Sequence, residues 1–117
     1  TCYARIREAE GQLSFYSQYT EEIAEGSRVR VMEFITRANF GMVIGNFELD
    51  LSDGDLRFKV STQVPPGTDL GAIPHFARLY GRLIGSNLSM MDRYRPGIEA
   101  VLKGTPPAEA IKAIEGK

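Results

Sequence analysis

The sequence predicts an α+β domain, an antiparallel sheet of two β-hairpins packed against helices on one face. Three observations carry this expectation. Apolar and polar residues alternate with period two over residues 2–23 and again over 43–64, and each stretch is broken by an acidic residue followed by glycine. Between them, Val31, Phe34, Ile35, Ala38 and Met42 fall at i, i+3, i+4, i+7 and i+11, the spacing of a single helix face. A second, longer stretch of helical period follows Pro74.

The first alternating stretch, residues 2–23, reads as a hairpin turning at Glu10-Gly11. Ile6 then faces Phe15, Glu8 faces Leu13 and Cys2 faces Tyr19. Arg5, Arg7, Ser14, Tyr16 and Gln18 point outward, and a longer loop fits the same alternation. The helix predicted over 27–42 has Ser27 as N-cap, Gly41 as the residue just past its end, and Glu33 and Arg37 as an i,i+4 ion pair on its solvent side. In the second hairpin Asp53-Gly54 is the preferred pair for a two-residue type I′ turn, which needs positive φ at both positions. That turn sets Leu51 opposite Leu56, Leu49 opposite Phe58 and Phe47 opposite Val60. On the other face it sets Asp50 opposite Arg57 and Glu48 opposite Lys59. A slip of one residue would move the apolar row into water, so the facing is strongly specified.

The 65–69 segment, with Pro65-Pro66-Gly67, is a loop because neither proline can donate to a strand ladder. The long helix starts after Pro74, which suits the first helical position. Phe76, Ala77, Tyr80, Leu83, Ile84, Asn87, Leu88, Met91 and Tyr94 form its buried stripe. Pro96-Gly97 is expected to break or kink it, with Ile98, Val101 and Leu102 carrying the apolar pattern on to Gly104. Thr105-Pro106 opens a short terminal helix with Ala110, Ile111 and Ile114 on one side.

At 117 residues the chain is a single domain, 1–117, large enough to bury a core without metal or disulfide. With 14 basic and 15 acidic residues the net charge is −1, so no overall positive field exists to hold nucleic acid or an anionic membrane. No apolar run approaches the ~18 residues a membrane span requires. Cys2 is the one cysteine. It has no internal disulfide partner, which suits a reducing compartment and a cytoplasmic location. The chain opens at Thr1 in strand-like sequence without a signal-peptide pattern, and the expectation is a domain cut from a longer protein.

The residues that could carry chemistry have simpler explanations. An EF-hand reading of Glu48, Asp50, Asp53 and Asp55 fails, because with Gly54 as its glycine the first two ligand positions fall on Leu49 and Leu51. His75, the sole histidine, has no second histidine or cysteine near it in sequence to complete a zinc site. Cys2 sits in an apolar row with nothing to lower its pKa. There is no G-x-S-x-G elbow and no P-loop. Gly41 and Gly45 flank a helix-to-strand passage, the reverse of the strand-to-helix order of a phosphate loop. The expectation is therefore no enzyme, no catalytic residue, no metal and no cofactor. Arg82, Arg93 and Arg95 with Tyr94, and Arg28, Arg30 and Arg37, are two loose arginine sets that read as solvated helix faces. Gly81 and Gly85 form a Gly-x-x-x-Gly spacing inside the long helix, each costing about 1 kcal/mol relative to alanine. Close packing of the helix on its own sheet or a homodimer contact would compensate.

The run Asn39-Phe40-Gly41, then Gly45-Asn46-Phe47-Glu48-Leu49-Asp50, Asp53-Gly54, Met91-Asp92-Arg93-Tyr94 and Pro96-Gly97, resembles the YbjN family of bacterial proteins. The resemblance spans roughly residues 3–103. It implies a fold similar to the class I chaperones of type III secretion, small α+β proteins that dimerise and bind extended segments of partner proteins. The family is named for sensory-transduction regulation and has no established enzymatic activity or cofactor, so no catalytic residue carries over. Its members have a helix and strand ahead of the first hairpin, which this chain is expected to lack. That would leave an apolar groove or a strand edge open, or filled by another copy of the chain.

The resulting expectation is a non-enzymatic, homodimeric protein-binding or regulatory module, chaperone-like, with an unknown protein partner, no nucleic acid and no membrane. Capture of an extended segment would use main-chain bonds for affinity and side-chain pockets for selectivity. The candidate partner-binding residues are Phe40, Met42 and Val43 beside the helix-to-strand passage, with Tyr80, Ile84, Met90 and Met91 on the long helix. Gly81 and Gly85 are the candidate dimer contact. The alternatives are a structural self-association domain with no external partner, and a small-ligand sensor with Asn46, Asn87 and Tyr80 available to line a pocket.

Overall fold

The computed structural model describes residues 1–116. Strands β1 (Cys2–Arg7), β2 (Gln12–Gln18), β3 (Asn46–Leu49) and β4 (Leu56–Gln63) form one antiparallel sheet in the order β1-β2-β4-β3. Helices α1 (Arg28–Asn39), α2 (Phe76–Leu102) and α3 (Pro107–Glu115) complete the α+β architecture. α2 packs on β2 and β4, α1 packs on β3, and α3 closes over α1 and α2. The core between the layers is built on edge-to-face contacts of Tyr94 with Phe34 and Phe47, and of Phe47 with Phe58. Val31, Ile98 and Val101 are fully buried around them.

Both hairpins keep the predicted facing but not the predicted turns. Leu49 lies opposite Leu56, Phe47 opposite Phe58 and Glu48 opposite Arg57, two residues away from the type I′ register. A shift of two returns every side chain to its own face, so the apolar row stays inside. The turn fails because Gly54 takes a positive φ (83°) while Asp53 does not. Residues 50–55 form a longer loop held by aspartates instead. Asp50 Oδ1 accepts from the Ser52 amide (2.9 Å) and hydroxyl (2.6 Å), and Asp53 Oδ1 accepts from the Asp55 amide (2.8 Å); these are the local side-chain bonds that make Asp a turn residue. Leu51 consequently sits in the loop, 52% exposed. Glu48, rather than Asp50, takes Arg57 (2.9 Å), and it takes Lys59 (3.2 Å) as well.

The first hairpin shifts in the same way: Ile6 pairs with Leu13, Ala4 with Phe15 and Cys2 with Ser17. Residues 8–10 form a 3-10 turn closed by Gly11 at φ 68°. Tyr16 faces outward as expected and is nevertheless buried. Tyr3 stacks on it at 4.8 Å, and the Arg57 guanidinium lies 4.2 Å from its ring centre.

The helix boundaries also move. α1 is preceded by a 3-10 turn at Glu25–Ser27, and Ser27 makes no side-chain cap, its hydroxyl accepting from Arg30 instead. Phe40 is extended (φ −63°, ψ 120°), so Met42 lies beyond the helix, while Gly41 follows with the expected positive φ. α2 begins at Phe76, with His75 left-handed at φ 59° and Pro74 outside. Ala77 and Leu88 are exposed rather than buried, because α2 meets the sheet along a line that runs from Tyr80 through Asn87 to Tyr94. Past Pro96-Gly97 the helix continues unbroken to Leu102. Burial of Ile98 and Val101 on the far side holds it across the missing donor, and Gly97 is where α2 presses on Phe34. α3 starts one residue later than expected, with Pro107 at its first position.

Candidate partner-binding surface

The passage from α1 to β3, residues 40–45, is a rigidly seated loop that displays apolar side chains. Its base is closed by Asn39, whose amide nitrogen donates to the Phe47 carbonyl (3.1 Å) and whose Oδ1 accepts from the Phe47 amide (2.7 Å). The Asn39 side chain thus imitates a neighbouring strand. Gly45, at φ 81°, lies against the Phe58 ring and the Lys59 carbonyl, where a Cβ would come within 2.6 Å of that oxygen. The loop between these two fixed points carries Phe40 at 90% exposure and Val43 at 93%, with Ile44 half exposed. Apolar side chains that stand this far out contribute nothing to the core.

Two open clefts flank the loop. One, of about 300 Å³, is lined by Phe40, Gly41, Met42, Ala38, Met90, Arg93, Tyr94 and Glu115. The other, of about 310 Å³, is lined by Met42, Val43, Ile44, Ser86, Ser89 and Met90. Met42 and Met90 belong to both and divide them. Tyr94 forms the polar wall of the first cleft: its hydroxyl donates to Glu115 Oε2 (2.6 Å), and Arg93 lies 5.3 Å from its ring centre. Burial, then the bond to Glu115, pushes the Tyr94 hydroxyl up to about 12.

Four of the residues nominated from the sequence are brought together here: Phe40, Met42, Val43 and Met90. The rest are not. Met91 is 2% exposed and belongs to the core. Tyr80 stands at the other end of α2 and donates to the Ser14 carbonyl (3.0 Å). Ile84 is half-buried and lines neither cleft. Asn87 is fully buried, holding the Phe15 and Phe58 carbonyls and the Ser17 hydroxyl, so it lines no pocket. Gly81 and Gly85 are exposed, and a Cβ on either would meet nothing within 4 Å. Close packing on the chain's own sheet therefore does not explain them. Sequence reasoning missed Ile44, Ser86, Ser89, Arg93 and Glu115. Ile44 carried a readable signal, since the apolar run Met42-Val43-Ile44 between two glycines has neither a helical nor a strand period.

Among the described residues no helix is long and apolar enough to cross a membrane. No family model, no curated protein and no solved structure matches the chain.

Proposed function

We propose that the chain is a non-enzymatic protein-binding module, regulatory or chaperone-like in the manner of the YbjN family it resembles and working in the cytoplasm. Its task is to seat an apolar stretch of a partner protein against the 40–45 loop. The observation that carries this reading is the exposure of Phe40 (90%) and Val43 (93%) on a loop pinned at both ends. Preorganised apolar side chains lose little entropy on binding. The methionines between the two clefts adapt to varied partner side chains because they are flexible and polarisable. Solvation alone gives no reason to hold two large apolar residues in water on a fixed loop.

The test is a paired capture from source-cell lysate, with the wild-type chain against Phe40→Asp/Val43→Asp. Both residues are almost wholly exposed, so the double variant keeps the wild-type melting temperature. The expected result is a protein enriched by the wild type and lost with the variant. Equal enrichment by the two baits, or none by either, removes the loop from the function.

A further inference from the structure

Among the described residues β1 is an open edge of the sheet, its one neighbour there being β2. Thr1 and Gln18 exchange both main-chain bonds, at 3.4 Å and 2.7 Å. Antiparallel ladders alternate, so Tyr3, Arg5 and Arg7 spend their main-chain groups on β2, while Cys2, Ala4 and Ile6 aim theirs at the open edge. The side chains of these same three residues share the helix-side face, and all three are exposed, Ile6 by 50%. The helices pack mainly on β2, β4 and β3. Proteins ordinarily block such an edge with proline or an inward charge, and β1 carries neither on that face.

We propose that the β1 edges of two copies pair antiparallel about a two-fold axis beside Ala4, joining the two sheets into one. The chain's own residues select the register. Outward-aimed residues must oppose outward-aimed residues, which leaves three registers with useful overlap. Setting Ala4 opposite the partner's Ile6 puts Arg5 directly opposite the partner's Arg5, a repulsive pair. Setting Cys2 opposite the partner's Ala4 leaves Ile6 beyond the ladder. Setting Ala4 opposite the partner's Ala4 uses the whole strand and forms about six main-chain bonds. It also places Cys2 against the partner's Ile6 on the helix side.

On the outer face that register puts Tyr3 opposite the partner's Arg5. Lys59, Tyr16 and Tyr3 already occupy one cross-strand row. The Tyr3–Tyr16 stack holds Arg57, which lies 4.2 Å from the Tyr16 ring centre and donates to the Tyr3 hydroxyl (2.7 Å), and the chain's own Arg5, 6.0 Å from the Tyr16 ring centre. The partner's Arg5 arrives at the Tyr3 end of the same row. The like charges that would repel at the edge are thereby interleaved with aromatic rings.

The experiment is light scattering on the 117-residue chain from micromolar to millimolar concentration, with two kinds of variant. The wild type is expected at twice the 13.0 kDa chain mass. Ala4→Pro removes an amide that β2 does not use, so it is expected at the single-chain mass with an unchanged circular dichroism spectrum. In a Cys2→Ser background, Ala4→Cys is expected to oxidise to a covalent dimer, because hydrogen-bonded opposite residues lie about 5.5 Å apart at Cα, within disulfide reach. Ile6→Cys in the same background is expected to stay single, its counterpart being about 13 Å away. Phe40→Asp/Val43→Asp stays dimeric, which separates this proposal from the loop function. A wild type that remains single-chain throughout overturns the pairing. So does a folded Ala4→Pro that remains dimeric, or crosslinking by Ile6→Cys in preference to Ala4→Cys. Should Ala4→Pro not fold, the crosslinking pair decides alone.

Discussion

Three glycines in α2 make one substitution a measure of three environments. Alanine in place of a helix-interior glycine stabilises by up to about 1 kcal/mol, through the entropy of the unfolded chain. At Gly81 and Gly85 a new Cβ meets nothing within 4 Å, so the whole gain is expected. At Gly97 the Cβ would lie 2.6 Å and 2.7 Å from Phe34 ring carbons and 3.2 Å from Ile114 Cγ1. The Phe34 ring is fully buried and set edge-on to Tyr94, so it has nowhere to turn. Overpacking of this kind costs about 1–3 kcal/mol; against the helix gain, Gly97→Ala is expected to lose about 0–2 kcal/mol. The two sites should therefore differ by about 1–3 kcal/mol, or about 4 °C or more in melting temperature for a chain of this size. Calorimetry on Gly81→Ala, Gly85→Ala and Gly97→Ala reads this directly. If Gly97→Ala melts at or above Gly81→Ala, the packing argument is wrong. If Gly81→Ala or Gly85→Ala melts below wild type, something covers that face, and the dimer contact expected from the sequence belongs there.

The polar interior makes a second prediction. Asn87→Ala leaves the buried Ser17 hydroxyl without its acceptor, a loss of about 1–3 kcal/mol before any cavity term, and urea titration is expected to show a lowered midpoint. Ser17→Ala added to Asn87→Ala should cost little more, whereas additive losses would mean the two do not act as a pair. The acid limb of stability depends on Glu48. Burial would raise its carboxyl, but hydrogen bonds from Lys59 and Arg57 overcome this and hold it below its ordinary value of 4.5. A depressed carboxyl contributes stability that is present above the unfolded value and lost as pH falls through the folded one. Glu48→Gln should flatten the acid limb, and an unchanged limb would remove Glu48 from it. The alkaline limb has the opposite sign. Tyr94 is raised from 10.0 to about 12, so its contribution is complete below pH 10 and is lost as pH rises toward 12. Tyr94→Phe should reduce that slope without abolishing it, since Tyr19 and Tyr80 are also raised by burial; an identical slope would refute the assignment.

The sequence disclosed the faces of the elements better than their ends. Period-two alternation placed Leu13, Phe47, Leu56, Phe58 and Val60 on the inner face, and all are buried. That result survived two wrong turns because a shift of two preserves facing. The turns were missed because side-chain bonds at Asp50 and Asp53 offer the backbone an alternative to the type I′ geometry, and such bonds leave only a compositional trace. Pro96-Gly97 misled for a tertiary reason: the burial of Ile98 and Val101 outweighs the local penalty, and no window of sequence contains Phe34, against which Gly97 packs. For the candidate surface, Phe40, Val43 and Met90 were legible as apolar residues left over from the core stripes, whereas Met42 was counted in the stripe of the 27–42 helix and lies beyond the helix end. Spacing had put Met91 in the buried stripe of the long helix, where it is, and only its residue type nominated it for the surface beside Met90, one helical step of about 100° away. Glu115 was beyond reach, because its place beside Tyr94 depends on how α3 folds back.

The two proposed surfaces lie at opposite ends of the sheet, and this has a mechanistic consequence. The order β1-β2-β4-β3 puts the pairing edge on one side and the 40–45 loop, which runs into β3, on the other. Pairing through β1 would leave both loops free and facing away from each other, with seven inter-strand steps of about 4.8 Å, about 34 Å in all, between the two β3 edges. A partner with two apolar stretches separated by enough chain to span that distance would then bind twice, the second event being intramolecular. Ala4→Pro should preserve the affinity for a single stretch and weaken capture of the two-stretch partner by about 100-fold or more. Phe40→Asp/Val43→Asp should abolish both. Equal affinity of Ala4→Pro and wild type for a partner carrying two stretches would show that each loop works alone, whatever the state of the β1 edge.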